Sequence, residues 1–247
     1  MEVHHHPDLH HRPKPGKEYF LEFLMIFLAV AMGFLAESLR EHISDRSKER
    51  EYVVSMLGNL ARDTVDLNNV IAANLHKADG LDTLKGVLGE YLDSPYHYQV
   101  LDSVYQYCGL YIPYKYIFES HDGTLVQLRN SGGYRLIQKG EAADSIAAYD
   151  VMNGITMISN SIYLNLTTLL YDTWARCFNM ENVTMRRKFY YVPPTIIITD
   201  LQQLRYFYNK IKQCADTIHS YVDEHLEKQL IEARRLIAYL KRLYKIR

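Results

Sequence analysis

From Phe23 to Ala36 the chain reads FLMIFLAVAMGFLA, fourteen consecutive uncharged and almost wholly apolar positions. Tyr19, Phe20 and Leu21 extend the run past Glu22, and Leu39 extends it past Glu37. Tyr19 to Leu39 is then 21 residues, about 31 Å of α-helix and the depth of one bilayer core. Glu22 and Glu37 fall near the two ends, where a carboxylate reaches the headgroups. A charge at the centre would cost about 2.5 kcal/mol or more, and the sequence places none there. Residues 19–39 therefore read as a transmembrane helix. A cleaved signal peptide would need a small-residue cleavage site and a polar mature start. Here the apolar run passes directly into the helix former Glu37-Ser-Leu-Arg-Glu-His, so the segment reads as an uncleaved anchor.

Helical periodicity continues past the anchor. Val53, Met56, Leu57, Leu60, Leu67, Ile71 and Leu75 recur mostly three or four apart, predicting a helix from Arg40 to Lys77 that Asp79-Gly80 ends. Two shorter helices follow, Leu81–Leu92 and Gln99–Leu110, split by Asp93-Ser94-Pro95. Ile112–His121 (IPYKYIFESH) has no clear period and reads as an aromatic linker. Thr124 is placed to cap a short helix ending at Gly132-Gly133. Glu141–Phe178 reads as a long helix with Ile146, Tyr149, Met152, Ile155, Ile158 and Ile162 among its apolar positions. A loop with a strand-like Phe189-Tyr190-Tyr191-Val192 precedes a last helix capped by Thr199 or Asp200. The expected fold is all-α: a polar tail (1–18), the transmembrane helix (19–39), and an elongated antiparallel helical bundle (40–247).

Composition alone would hide the anchor. The mean hydropathy is −0.23, and 28 Lys+Arg face 29 Asp+Glu, for a net charge of −1. That balance argues against a nucleic-acid partner. Three cysteines without a CxxC pair make a disulfide framework unexpected. Three cations (Arg12, Lys14, Lys17) precede the anchor and four (Arg40, Arg46, Lys48, Arg50) follow it. This bias favours the C-terminal side inside, placing the bundle in the cytoplasm.

Several strings resemble an uncharacterised family of bacterial single-pass membrane proteins with a His-rich N-terminal tail and a helical soluble domain. They are Met1-Glu2-Val3-His4-His5-His6, Glu18-Tyr19-Phe20-Leu21-Glu22-Phe23-Leu24-Met25 and Gly33-Phe34-Leu35-Ala36-Glu37. Leu128-Arg129-Asn130-Ser131-Gly132-Gly133-Tyr134-Arg135-Leu136-Ile137 is similar to a Leu-x-x-Ser-Gly-x-x-Arg-Leu-Ile element of related anchored proteins. The resemblance implies a bacterial inner-membrane protein, attaches no activity and transfers no functional residue.

Candidate chemistry is sparse. His4, His5, His6, His10 and His11 crowd five imidazoles into eight residues, a loose site for a transition metal or, when protonated, a cationic contact to the membrane. Glu22, Met25, Ala29, Gly33 and Ala36 share one face of the anchor, with Glu37 at its end. Ala29-x-x-x-Gly33 permits close helix approach, so this face suits an ordinary anchor, a self-association surface or a narrow cation pore. Arg234, Arg235, Lys241, Arg242, Lys245 and Arg247 form a basic stripe on the last helix. It serves either a membrane surface or the helix C-terminal dipole. His219 and His225, six apart, fall on different faces of that helix, and Arg186-Arg187-Lys188 reads as a solvated loop. No GxSxG, HExxH, Walker or GxGxxG motif occurs. The expected protein is a non-enzymatic membrane-anchored scaffold, interaction or sensing protein that self-associates and has an unknown protein partner. The alternatives are an oligomeric ion channel formed by the anchor and a membrane-anchored enzyme without short motifs.

Overall fold

A computed structural model describes residues 16–94, 98–180 and 200–246. The described residues are all-α. Six helices span them: α1 (Gly16–Asp93), α2 (Tyr98–Tyr111), α3 (Gly123–Asn130), α4 (Ala142–Cys177), α5 (Leu201–Tyr221) and α6 (Glu227–Tyr244). A 3₁₀ turn (Gly133–Leu136) follows α3, and a five-residue π turn (Val222–Leu226) joins α5 to α6. The chain divides into two units, residues 1–51 and 52–247.

In the first unit, the described residues 16–51 belong to α1. One stretch is long and apolar enough to cross a membrane, and none of it is buried within the protein. Phe23, Met25, Ile26 and Phe34 are each more than 60% exposed. Two ion pairs here are local: Glu37 with Arg40, and Asp45 with Lys48, each one helical turn apart.

The second unit is a bundle in which α4 packs against α5 and α6. Its interior holds two apolar clusters. One gathers Leu81, Leu84, Leu88, Trp174, Phe178 and Phe207 around the ends of α1 and α4. The other gathers Met56, Leu60, Leu128, Ile146, Leu236 and Leu240. Buried polar residues interrupt the apolar rows of three helices between these clusters: Asp63 on α1, Asn153 and Thr156 on α4, and Gln229 on α6.

Several sequence expectations are met closely. α4 runs Ala142–Cys177 against an expected Glu141–Phe178, residues 112–121 contain no helix, and Asp200 caps α5 by accepting the Gln202 amide at 2.8 Å. Others are corrected. Asp79-Gly80 does not end a helix, because α1 continues to Asp93. A Cβ on Gly80 would lie 2.3 Å from the Tyr111 ring, so the glycine serves the close approach of α2 rather than a turn. Thr124 caps nothing. Asp122 holds the N-cap position of α3, and the Thr124 hydroxyl pairs with Ser55 and accepts from Asn59, both at 2.8 Å. The apolar row assigned to the α4 core also divides. Ile146 and Tyr149 point inward, whereas Ile155, Ile158 and Ile162 point outward. The strand-like Phe189–Val192 and the Arg186–Lys188 run lie outside the described residues.

Candidate functional site

The inward face of α4 is polar. Asn153, Thr156, Ser159, Asn160, Thr167 and Thr173 are buried there at helical spacing. An amphipathic helix normally turns its apolar stripe to the core, so buried polar groups on this scale need partners. Ser159, Thr167 and Thr173 donate to carbonyls of α4 itself and Thr156 to Gln229, whereas Asn153 and Asn160 reach the linker between α2 and α3. Residues 113–121 have no helical or strand ladder of their own, yet Phe118 is buried and Ile117 packs on the core. A backbone segment taken inside must have its N–H and C=O groups satisfied.

Side chains from three helices, α1, α4 and α5, do this in order along the linker. The Lys77 ammonium donates to the Tyr114 carbonyl. The Tyr116 amide donates to the Tyr163 hydroxyl at 3.2 Å, and Asn74 donates to the Tyr116 carbonyl at 2.9 Å. Asn160 donates to the Phe118 carbonyl at 2.7 Å, and the Phe118 amide donates to the Tyr221 hydroxyl at 3.4 Å. Tyr221 in turn donates to Asn160, and its ring stacks on Tyr163 at 5.2 Å.

Asp63 closes the linker. Its carboxylate accepts from the Ser120 hydroxyl at 2.8 Å, the His121 amide at 2.7 Å and the Tyr149 hydroxyl at 3.3 Å, and pairs with His121 Nδ1 at 2.9 Å. Ser120 also accepts from Asn153 at 3.0 Å, and Gln229 bridges Asn153 and Thr156. The proximity of Asp63, His121 and Ser120 is therefore not a nucleophile relay, since Ser120 donates to the carboxylate and the ring nitrogen does not reach Ser120 as its base.

Lys77 is the chemically distinctive member. It is 2% exposed, and its contacts are the Tyr114 carbonyl, the Tyr163 hydroxyl at 3.5 Å and the Tyr163 ring face. Burial disfavours its charge and lowers its pKa to about 8. A surface hollow of about 130 Å³, lined by His76, Lys77, Tyr111, Tyr114 and Tyr116, opens beside it. Burial also raises the Tyr221 hydroxyl to about 12, and Tyr163 and Tyr149 upward as well. All three cysteines, Cys108, Cys177 and Cys214, are free and buried. Burial pushes Cys177 and Cys214 to about 11 and Cys108 well upward, which leaves unreactive thiols.

The residues singled out from the sequence lie elsewhere. His4, His5, His6, His10 and His11 are outside the described residues, as is Arg247. Among the described residues, no group of three or more His, Cys, Asp or Glu is placed to hold a metal. On the apolar stretch of α1, a Cβ on Gly33 would meet nothing within 4 Å, so its face is open within the chain. Glu37 is engaged by Arg40 through two guanidinium nitrogens. On α6 the cations Arg234, Arg235, Lys241, Arg242 and Lys245 are exposed, but Leu236, Leu240 and Tyr244 between them are buried in the bundle. The apolar half of that stripe is already used by the core, so it is not free to enter a membrane surface. Arg235 pairs with Glu232. His219 lies 3.7 Å from Asp82, and both are about two-fifths exposed, at the bundle surface.

The family-like element from Leu128 to Ile137 has a structural role here. Gly132 takes a left-handed φ of 66°, and the 3₁₀ turn begins at Gly133, where a Cβ would approach Leu128 at 2.9 Å. Arg129 and Tyr134 then converge on Asp150 of α4, at 3.1 Å and 3.4 Å. Burial and the Asp150 charge raise the Tyr134 hydroxyl to about 12.

Sequence reasoning missed Asp63, Lys77, His121, Asn160, Tyr221 and Gln229. A signal existed: Asn153, Thr156, Asn160 and Thr167 repeat at three, four and seven residues. The class defined by this fold and interior is an all-α bundle around a buried linker, with an apolar helical segment exposed in the same chain. No protein-family model, curated protein or solved structure matches it.

Proposed function

We propose that this chain is a single-pass membrane protein of the bacterial inner membrane, with its bundle in the cytoplasm acting as a self-associating scaffold or interaction module. One observation carries the reading: the apolar stretch of α1 lies wholly exposed within the chain. Water is a poor solvent for such a surface, and a bilayer core of matching length removes it from water without any charge at the centre. The four-against-three cation count orients it. The bundle's polar interior supports a binding rather than a catalytic role, because its groups are committed to the linker. The Glu37–Arg40 pair weakens the pore alternative, since a ring of neutralised carboxylates gives little cation selectivity.

Fractionation of cells expressing the full chain tests this. The protein is expected in the membrane pellet after alkaline carbonate washing. The double substitution Leu28→Lys and Val30→Lys, costing roughly 5 kcal/mol or more at the bilayer centre, is expected to release it to the supernatant. A wild-type chain extracted by carbonate would overturn the proposal.

A further inference from the structure

The outward face of α4 is as unusual as its inward one. Val151, Ile155, Ile158, Ile162 and Leu169 are 40–65% exposed, and Asn165 is exposed with them. These six positions follow one another at intervals of four, three, four, three and four residues. With Ala148 preceding them, that is the seam spacing of three coiled-coil heptads. The bundle is served by the opposite side of the same helix, including Asn153, Asn160 and Tyr163. Single exposed apolar residues are ordinary, but a continuous seam of them marks an interaction surface.

A second observation is independent of the seam. Gly154 sits mid-helix beside it, where glycine is destabilising relative to alanine. A Cβ there would meet nothing within 4 Å, so nothing in the chain's own packing calls for it. A helix crossing closely from outside does. Ala147, Gly154, Ser161 and Thr168, all small, recur every seven residues along one edge of the seam.

We propose that this face, Ala148 to Leu169, docks a second copy of the same chain, the two α4 helices running parallel and in register. The seam is self-complementary, and α4 itself carries no charged residue between Asp150 and Asp172; the nearest cation, Lys115, is held at the C-terminal edge of the seam by the Thr168 hydroxyl at 2.6 Å. Parallel register sets each Asn165 against its own copy, where the amides hydrogen-bond and fix the alignment. An antiparallel pair centred on Ile158 would set Asn165 against apolar Val151. The six residues of the seam offer less surface than a stable free dimer interface of about 800 Å² per partner. Two chains held by one bilayer meet at raised effective concentration, which compensates. In that respect the inference rests on the self-association proposed above, and it moves the contact from the anchor to the bundle.

The test is disulfide cross-linking and mass measurement of the full chain in detergent micelles, with the buried native cysteines leaving the background low. Ile158→Cys is expected to yield at least five-fold more covalent dimer than Met157→Cys, which is equally exposed but off the seam. Ile158→Glu is expected to lower the particle mass to the monomer with unchanged helical content. Equal cross-linking at 157 and 158 overturns the proposal. So does a mass that falls with Gly33→Ile but not with Ile158→Glu, which would leave self-association standing and place it in the anchor. Loss of binding to phosphatidylcholine vesicles by Ile158→Glu, with no cross-link at 158, would assign the face to lipid and also overturn it.

Discussion

Lys77 and Asp63 carry opposite charges inside one bundle and serve the same segment of backbone. Asp63 collects four hydrogen-bond contacts from Ser120, His121 and Tyr149, and Lys77 donates a hydrogen bond to the Tyr114 carbonyl. Removing the carboxylate strands buried donors, each of which costs 1–3 kcal/mol when unpaired. Asp63→Ala is accordingly expected to destabilise the bundle by about 3 kcal/mol or more in urea unfolding. Lys77 makes a pH prediction. Its folded pKa of about 8 lies below the ordinary lysine value of 10.5, so between those values the unfolded chain binds more protons and stability rises with pH. Below pH 8 both states are protonated and the burial penalty is constant. The buried thiols work against this above pH 9, since their raised values hold protons in the folded state. The measurement is therefore a difference: the unfolding free energy of wild type minus that of Lys77→Met should rise by up to about 1.4 kcal/mol per pH unit from pH 8 to 10. A difference independent of pH would contradict it. None of these roles was visible from residue type, because each depends on a linker 37 to 58 residues away in the chain.

At the scale of elements, periodicity located the helices well and their faces less well. The 3.6-residue repeat places α4 within one residue at each end, but an apolar row on a helix does not say which side the core occupies. On α4 the buried linker claims the polar face, and the apolar row is left outside. The same ambiguity affects glycine. Gly80 and Gly154 both interrupt helical patterns, and both helices run through them. Their surroundings separate them. Gly80→Ala would press on the Tyr111 ring and is expected to destabilise by about 1–3 kcal/mol. Gly154→Ala meets open space and is expected to stabilise the monomeric chain by about 0.5–1 kcal/mol. Thermal unfolding in dilute detergent measures both, and shifts of the same sign would contradict this assignment. Asp200 shows the converse case: its cap was readable because an N-cap is a local device.

For the whole molecule, the near-zero net charge conceals a division. The first unit presents an apolar helix face in the chain, while the second buries a polar linker under side chains drawn from α1, α4 and α5 and presents an apolar seam on α4. Two outward apolar surfaces in one chain are best explained by two different environments, hydrocarbon for the anchor and a second copy for α4. The long apolar stretch of α1 was legible because it is contiguous in the sequence. The linker was not, because its partners are scattered along the chain. The most direct measurement is the depth of spin labels placed along residues 19–39 of the full chain in vesicles, read from collision with oxygen and with a water-soluble nickel complex. The account predicts oxygen collision peaking and nickel collision vanishing near Leu28–Val30, with both returning to headgroup values at Tyr19 and Leu39. Labels equally accessible to the nickel complex along the whole segment would contradict it.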